Sequence, residues 1–171
     1  MPGGRSLSRF GRYWDEFEPG QVFSHWPGRT LTEHDNTWFC LLSMNQHPLY
    51  IDRHFAQAQG FERPPIADTL IFSLVVGLSV ADTSWRAIAN LGFERVVFER
   101  PVFAGDTLYA ESEVLDKRES ASKPDRGTVS IETRAFNQKR QRVLWLRRRF
   151  LVAKIEGREP FAGELLRSAG P

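Results

Sequence analysis

Hydrophobic residues recur at helical spacing in the first half of the chain and predict two amphipathic helices. From Thr32 to about residue 47, apolar residues return every three or four positions, with Thr32 as the N-cap and acidic residues in the first turn. This helix should end before Pro48, because the residue preceding a proline avoids the helical conformation. A second, shorter helix is predicted from Asp52, its cap, to a stop at Gly60.

A third predicted helix is apolar around nearly its whole circumference. It has Asp68 or Thr69 as its cap and runs to about Leu78. A helix without a polar face is a buried helix. In a domain of this size, we therefore expect a sheet to curve around it.

Alternating hydrophobic and polar positions predict strands before and after these helices. One short strand covers 21–26 and ends at Pro27-Gly28, which is a turn signal. In the final strand the apolar face has one exception, Arg148. The later strands are predicted at 87–94, 96–99, 106–118, 128–136 and 142–152.

This order of elements predicts an α+β fold in which an antiparallel sheet wraps around a buried central helix. A single sheet leaves an edge to cover, so we expect a homodimer or a dimer of dimers. Residues 1–12 are expected to form a flexible leader, 13–155 the domain, and 156–171 an irregular tail.

The composition narrows the class of protein. The 171 residues are 41% hydrophobic and 26% charged, which fits one packed domain rather than a disordered chain. The net charge of +2 gives no reason to expect a nucleic-acid partner. We expect no membrane span and no signal sequence, and hence a cytoplasmic location. Cys40 and four scattered histidines predict neither a disulfide nor a metal site.

Polar residues concentrate between the first and third predicted helices. The segment reads Met44-Asn45-Gln46-His47-Pro48-Leu49-Tyr50-Ile51-Asp52, followed by Gly60-Phe61 and Ile66-Ala67-Asp68-Thr69-Leu70. With Pro101 and Gly105-Asp106-Thr107-Leu108 further on, this order resembles the MaoC-like hydratase and dehydratase family over about residues 21–152. The resemblance implies the hot-dog fold and reversible addition of water to an enoyl-CoA. It implies no metal or redox cofactor, since coenzyme A enters as part of the substrate.

The family motif Asp-x-Asn-Pro-x-His-x-Asp is altered at both acid/base positions. Asn45 stands at the first Asp, His47 at the Asn and Tyr50 at the His, whereas Asp52 matches the second Asp. Asp68-Thr69 stands where the family has His-Gly at the start of its central helix. A neutral amide such as Asn45 cannot take a proton near neutral pH, although it can hold a water or a carbonyl.

The remaining pattern is similar to a subgroup that acts on branched C5 dicarboxylyl-CoA esters, the mesaconyl-CoA, β-methylmalyl-CoA and itaconyl-CoA hydratases. The similar stretches are 44–48, 76–80, 89–92 and 105–111. Membership of this subgroup would make Asn45 a subgroup feature. The free carboxylate of such a substrate would require a cation, for which the candidates are Arg53, Arg63 and Arg95.

Hydration of an enoyl thioester requires a base for water, an acid for the α-carbon and donors for the thioester oxygen. We predict His47 as the base, since imidazole titrates near neutral pH, with Asp68 or Tyr50 as its partner. Backbone N–H groups at Thr69 and Leu70, at the positive end of the third helix, are predicted to bind the oxygen.

Each of these residues also has a purely structural interpretation. Asp68 and Asp52 can be helix caps, Asn45 a helix end, His47 part of a turn, and Tyr50 a packed aromatic. The run Arg147-Arg148-Arg149 is either a coenzyme A phosphate site or a solvated strand or dimer rim. The other histidines are interpreted as surface or packing residues: His25, His34 and His54.

Other functions remain open at this point. A hot-dog thioesterase or an acyl-carrier-protein dehydratase also needs an activated water, so the motif does not separate them from a hydratase. A catalytically silent acyl-CoA-binding protein is a third alternative, which the replaced acid/base pair favours.

Overall fold

The computed structural model describes residues 11–155, in which five antiparallel strands form one sheet beside four α-helices. The strands are β1 (Val22–Thr30), β2 (Ala87–Phe98), β3 (Thr107–Glu119), β4 (Arg126–Phe136) and β5 (Arg142–Ala153). The helices are α1 (Glu33–Leu42), α2 (Pro48–Ile51), α3 (Arg53–Ala58) and α4 (Asp68–Ser79), and a π-helical turn (Val80–Ser84) continues α4. The sheet order is β1-β3-β4-β5-β2, so β1 and β2 are the two edge strands.

The hot-dog arrangement is confirmed, because α4 packs its inner face on the sheet. Ile71 and Val75 are buried in one hydrophobic cluster with residues of β3 and β5, among them Leu108, Leu144 and Leu146. The prediction of a fully buried helix is wrong for the other face of α4. Within the single chain that face is half-exposed or exposed along its length: Leu70, Ser73, Leu74 and Gly77.

The predicted leader and tail lie mostly outside the described residues, which leave out 1–10 and 156–171. Of the leader, Gly11 and Arg12 are described and both are packed. Gly11 is buried and donates its N–H to the Ala81 carbonyl at 2.7 Å, and Arg12 lies over the Phe23 ring at 4.6 Å. Packed structure therefore begins before the predicted boundary at residue 13.

Two strands are longer than predicted, for a shared reason. β1 continues through Pro27-Gly28 to Thr30, and its pairing with β3 shifts register between His25 and Arg29. A proline is tolerated where a bulge on an edge strand removes the need for its N–H. β2 is likewise one strand across 87–98, with register shifts on either side of Gly92 that absorb the predicted interruption.

Capping residues set the helix boundaries close to their predicted places. Thr32 caps α1, accepting from the Asp35 N–H at 3.2 Å, and Asp52 caps α3, accepting from the Phe55 N–H at 3.0 Å. Gly60 follows α3 with φ +87°, the left-handed conformation that favours glycine. The sequence did not predict α2, which begins at Pro48.

Two polar side chains whose partners the sequence did not indicate, Arg148 and His25, are buried at the far end of α4. Arg148 is 4% exposed, and its guanidinium donates to the hydroxyls of Ser79, Thr83 and Ser84 at 2.9 to 3.2 Å. It is therefore neither a phosphate site nor a solvated rim. Burial lowers the pKa of Arg148 to about 10, so it stays charged at neutral pH. A cation at a helix C-terminus is favoured by the helix dipole.

His25 is the second case; it is 4% exposed, so of its two interpretations the surface one is wrong. Its Nδ1 lies 2.8 Å from the Asp82 carboxylate and its Nε2 lies 2.8 Å from the Ser112 hydroxyl, which in turn contacts the Thr133 hydroxyl. The network joins the π-helical turn to β1, β3 and β4. Burial lowers the pKa of His25, which keeps the ring neutral.

Candidate active site

The N-terminus of α4 presents a carboxylate beside backbone N–H donors. Asp68 is the first helical residue and its side chain makes no capping bond, since the cap position belongs to Ala67; the interpretation of Asp68 or Thr69 as the cap is therefore wrong. The Leu70 N–H bonds to the Ala67 carbonyl at 2.9 Å, so it is not a free donor as predicted. Among the described residues, the N–H groups of Asp68 and Thr69 bond to no backbone carbonyl.

Tyr50 and Asp68 are the predicted site residues that a hydrogen bond brings together. Pro48 starts α2 and His47 caps it, which turns Tyr50 back toward α4. The Tyr50 hydroxyl lies 3.4 Å from Oδ2 of Asp68, and both side chains are half-buried. Burial raises the pKa of Asp68, and burial together with the Asp68 charge raises the pKa of Tyr50. The pair is a carboxylate that holds a proton more readily than usual, beside a phenol that stays protonated.

His47 does not occupy the position that a general base requires. Its ring Nδ1 accepts the Leu49 N–H at 3.2 Å, and its backbone N–H donates to Oδ1 of Asn45 at 3.2 Å. Because Nδ1 is an acceptor, the proton of the neutral ring lies on Nε2, which can then only donate. The His47 ring centroid is 5.7 Å from that of Tyr50. The turn interpretation of His47 and Asn45 therefore describes the geometry better than the catalytic one.

The remaining predicted binding residues are dispersed. Asp52 is occupied as the α3 cap. Arg63 lies over the Phe103 ring at 5.7 Å and Arg95, on edge strand β2, lies over the Trp145 ring at 5.0 Å. Arg53 is different, because it lines the same cavity as Tyr50.

This cavity has a volume of about 250 Å³ and lies between α1, α2 and the segment that precedes α4. Tyr50, Asn36 and Ile66 line it, together with the exposed ion pair between Arg53 and Glu33, whose charged atoms are 3.3 Å apart. Its mixture of apolar wall and one guanidinium suits a small acyl group that carries a carboxylate.

Asn36 is the residue of this region that the sequence analysis missed. It is 6% exposed, its amide N–H donates to the Tyr50 carbonyl at 2.9 Å, and its Oδ1 accepts the Ala67 N–H at 2.8 Å. The signal was present, because Asn36 and the buried Cys40 lie one helical turn apart and an amide on a buried helix face requires partners. The sequence could not identify those partners.

Two kinds of feature are absent from residues 11–155. No group of three or more His, Cys, Asp or Glu residues among 11–155 is arranged to hold a metal ion. None of the helices in these residues is long and apolar enough to span a membrane.

Comparison with known proteins agrees with this fold. The family model for mesaconyl-CoA hydratase matches residues 6–167. A mesaconyl-CoA hydratase of Cereibacter sphaeroides is 33% identical over 150 residues, covering 88% of this chain and 43% of that protein. A β-methylmalyl-CoA dehydratase of Chloroflexus aurantiacus is 35% identical over 150 residues, covering 88% of this chain and 42% of that protein. The chain thus spans less than half the length of these relatives.

Solved structures give the same picture. A MaoC domain dehydratase from Chloroflexus aurantiacus superposes with a TM-score of 0.85 at 34% identity, over 91% of this chain and 44% of that one. A Mycobacterium tuberculosis protein with a double hot-dog fold superposes with a TM-score of 0.79 at 26% identity, over 88% of this chain and 47% of that one. By fold, by sequence and by the family model, the chain belongs to the mesaconyl-CoA hydratase family.

Proposed function

We propose that this chain provides the active site of a hydro-lyase that reversibly adds water to the double bond of an enoyl-CoA. The observation that carries the proposal is the hydrogen-bonded pair of Tyr50 and Asp68 at the start of α4. The relatives named for mesaconyl-CoA and β-methylmalyl-CoA support a branched C5 dicarboxylyl-CoA as the substrate class.

The pair supplies both proton transfers of a hydration. Asp68 takes one proton from water as the oxygen bonds to the β-carbon, and the Tyr50 hydroxyl gives one proton to the α-carbon. The proton held by Asp68 then passes along the hydrogen bond to the Tyr50 oxygen, which restores both groups and leaves one water added.

The helix start and the cavity bind the two ends of the acyl group. The N–H groups of Asp68 and Thr69 stabilise the thioester oxygen as it gains charge, at the positive end of the α4 dipole. Arg53 binds the free carboxylate of the substrate in place of Glu33. The ion pair between Arg53 and Glu33 is solvent-exposed, so a substrate carboxylate can replace Glu33. The reaction changes no oxidation state, so acid/base groups suffice and we propose no metal or redox cofactor.

The working assembly that we propose is a homodimer in the cytoplasm, where coenzyme A thioesters are available. Two copies of this chain would together approach the length of one relative, since one copy covers 42% to 43% of it. The half-exposed apolar face of α4 and the open edge of β2 are the surfaces a second copy would cover.

The test is an assay with crotonyl-CoA and mesaconyl-CoA that follows enoyl absorbance and free thiol in parallel. Loss of absorbance without thiol release supports hydration. Thiol release indicates a thioesterase instead, and neither signal indicates a protein that only binds acyl-CoA.

The assignment of the site is tested with the same assay on Asp68→Asn. We expect turnover to fall about 100-fold or more, because the base is lost. Asp116→Asn is the matched control, since Asp116 lies on β3 in an exposed ion pair with Arg118. Equal activity of both variants would remove Asp68 from the mechanism.

A further inference from the structure

One buried side chain connects the two backbone segments that carry the acid/base pair. Asn36, on α1, donates to the Tyr50 carbonyl at 2.9 Å and accepts from the Ala67 N–H at 2.8 Å. Its third neighbour is the Cys40 thiol, 4.0 Å from Oδ1. One side-chain amide therefore bonds to the backbone of two segments and also contacts the thiol.

Both backbone groups need a partner that the helices cannot provide. The Tyr50 carbonyl lies near the end of α2, which has only four residues, and the Ala67 N–H precedes the first turn of α4. Such end groups have no bond within their own helix. Ala67 is fully buried, so water does not replace a lost partner for its N–H.

The position of the pair follows from these two bonds. Asp68 is bonded directly to Ala67 in the chain, and the Tyr50 side chain projects from the residue whose carbonyl Asn36 holds. The distance from the Tyr50 hydroxyl to Asp68 is 3.4 Å, at the long end of hydrogen bonding, so a small relative displacement of α2 and α4 breaks it.

We propose that Asn36 is a positioning residue, which holds Tyr50 against Asp68 by bonding the backbone of both segments with one amide. The inference rests on the proposed function for its kinetic test, although the geometry it concerns is independent of that function. Asn36 does not touch the reacting atoms in this arrangement.

Two variants separate positioning from general stability. Asn36→Ala removes both bonds, and Asn36→Asp keeps an acceptor for the Ala67 N–H but cannot donate to the Tyr50 carbonyl. We expect kcat to fall about 10- to 100-fold in each, as misplacement of a catalytic group does, with KM changed less than about threefold.

The acid limb of the pH profile should move to higher pH in both variants. In Asn36→Ala the hydrogen bond from Tyr50, which lowers the pKa of Asp68, is lost with the displacement of α2 from α4. In Asn36→Asp a second carboxylate also opposes ionisation of Asp68, so the limb shifts further in the same direction. A loss of stability alone moves neither limb.

Cys40→Ala is the matched control, because it removes a buried side chain from the same helix and leaves both amide bonds in place. We expect lower stability with kcat and pH profile unchanged. Wild-type kinetics in either Asn36 variant, or an equal loss of kcat in Cys40→Ala, would overturn the proposal.

Two measurements need no active variant. In the wild-type protein the Ala67 amide should exchange slowly with solvent, and rapid exchange would overturn the proposal even if both Asn36 variants failed to fold.

If the wild-type protein hydrates none of the enoyl thioesters, the proposed function fails by itself. Positioning is then decided by NMR titration of the Asp68 carboxyl, where a raised pKa in both Asn36 variants supports it and an unchanged pKa overturns it.

Discussion

Burial and the contact between Tyr50 and Asp68 together set the pKa values of both groups. Burial raises the pKa of Asp68, whereas the hydrogen bond from Tyr50 lowers it, and burial is the larger effect. For Tyr50, burial and the neighbouring Asp68 charge both raise the pKa. Asp68 therefore keeps its proton to a higher pH than an ordinary carboxyl, and Tyr50 keeps its proton to a higher pH than an ordinary phenol.

These directions predict the pH dependence of the reaction. In the wild-type protein kcat/KM should fall as pH drops, with a midpoint above the ordinary carboxyl value of 3.8, because Asp68 must be ionised. Tyr50 should cause no alkaline fall below its ordinary value of 10.0. The measurement is a pH–rate profile with the enoyl thioester that turns over best, and an alkaline limb near neutrality would contradict the pair assignment.

Removing the phenol separates its two effects. Tyr50→Phe should lower kcat about 10- to 100-fold, because the proton donor is lost. Its acid limb should also move to higher pH, since the hydrogen bond that lowers the pKa of Asp68 is gone. An unchanged profile in Tyr50→Phe would show that the 3.4 Å contact does not form in solution.

The residue scale also shows where sequence reasoning stopped. The motif order correctly placed Asn45, His47 and Tyr50 in one turn region, because they are neighbours in the chain. It could not show that His47 uses Nδ1 to cap α2 or that Tyr50 meets Asp68, 18 positions away. Those facts depend on how α2 packs against α4.

At the scale of elements, α4 is held at both ends by buried polar groups. Asn36 fixes its start, whereas His25 and Arg148 fix the π-helical turn that follows it. His25 joins Asp82 of that turn to Ser112 of β3. The helix that carries Asp68 is thus fixed at its start by α1 and at its far end by the sheet.

The His25 network should dominate the stability of this end of the helix. His25→Leu leaves Asp82 and Ser112 without their shared partner, and we expect a loss of about 2 to 4 kcal/mol in the free energy of unfolding. Denaturant titration measures it, with the exposed His34→Leu as the matched control, changed by less than about 0.5 kcal/mol. Equal effects at both positions would contradict the network's role.

The same histidine predicts how stability depends on pH. Its pKa in the folded protein is lower than the ordinary 6.5, so the unfolded chain binds more protons in that range. The contribution of His25 is fully present above pH 6.5 and declines as pH falls toward its folded pKa. Wild-type stability should therefore drop more steeply on acidification through this range than that of His25→Leu.

At the scale of the whole molecule, the two sheet edges differ in what they expose. β2 carries four exposed large apolar side chains, Ile88, Leu91, Phe93 and Phe98, whereas β1 carries Val22 and Trp26. Phe93 also contacts Phe72 of α4, with ring centroids 4.8 Å apart. This ring contact therefore joins the exposed apolar side chains of edge β2 to α4.

A pair of edge substitutions tests which surface forms the proposed homodimer. Leu91 is 49% exposed on β2 and Val22 is 54% exposed on β1, so the two positions are matched in exposure and in element type. Leu91→Glu should yield a monomer, because a buried unpaired carboxylate opposes association, whereas Val22→Glu should stay dimeric. Size-exclusion chromatography with light scattering measures both, and a dimeric Leu91→Glu protein would exclude this edge.

The amino-acid sequence alone determined the fold class, the helix caps at Thr32 and Asp52, the apolar α4 and the strand segments, because each depends on local spacing and backbone preference. The predicted strand end before Pro27 and the predicted break between Glu94 and Val96 were wrong, since bulges are accommodated by the neighbouring strand. Tertiary structure alone decided the partners of buried polar groups. Asn36, His25 and Arg148 each bond to residues distant in sequence, and burial, which fixes their charge states, exists only once the chain has folded.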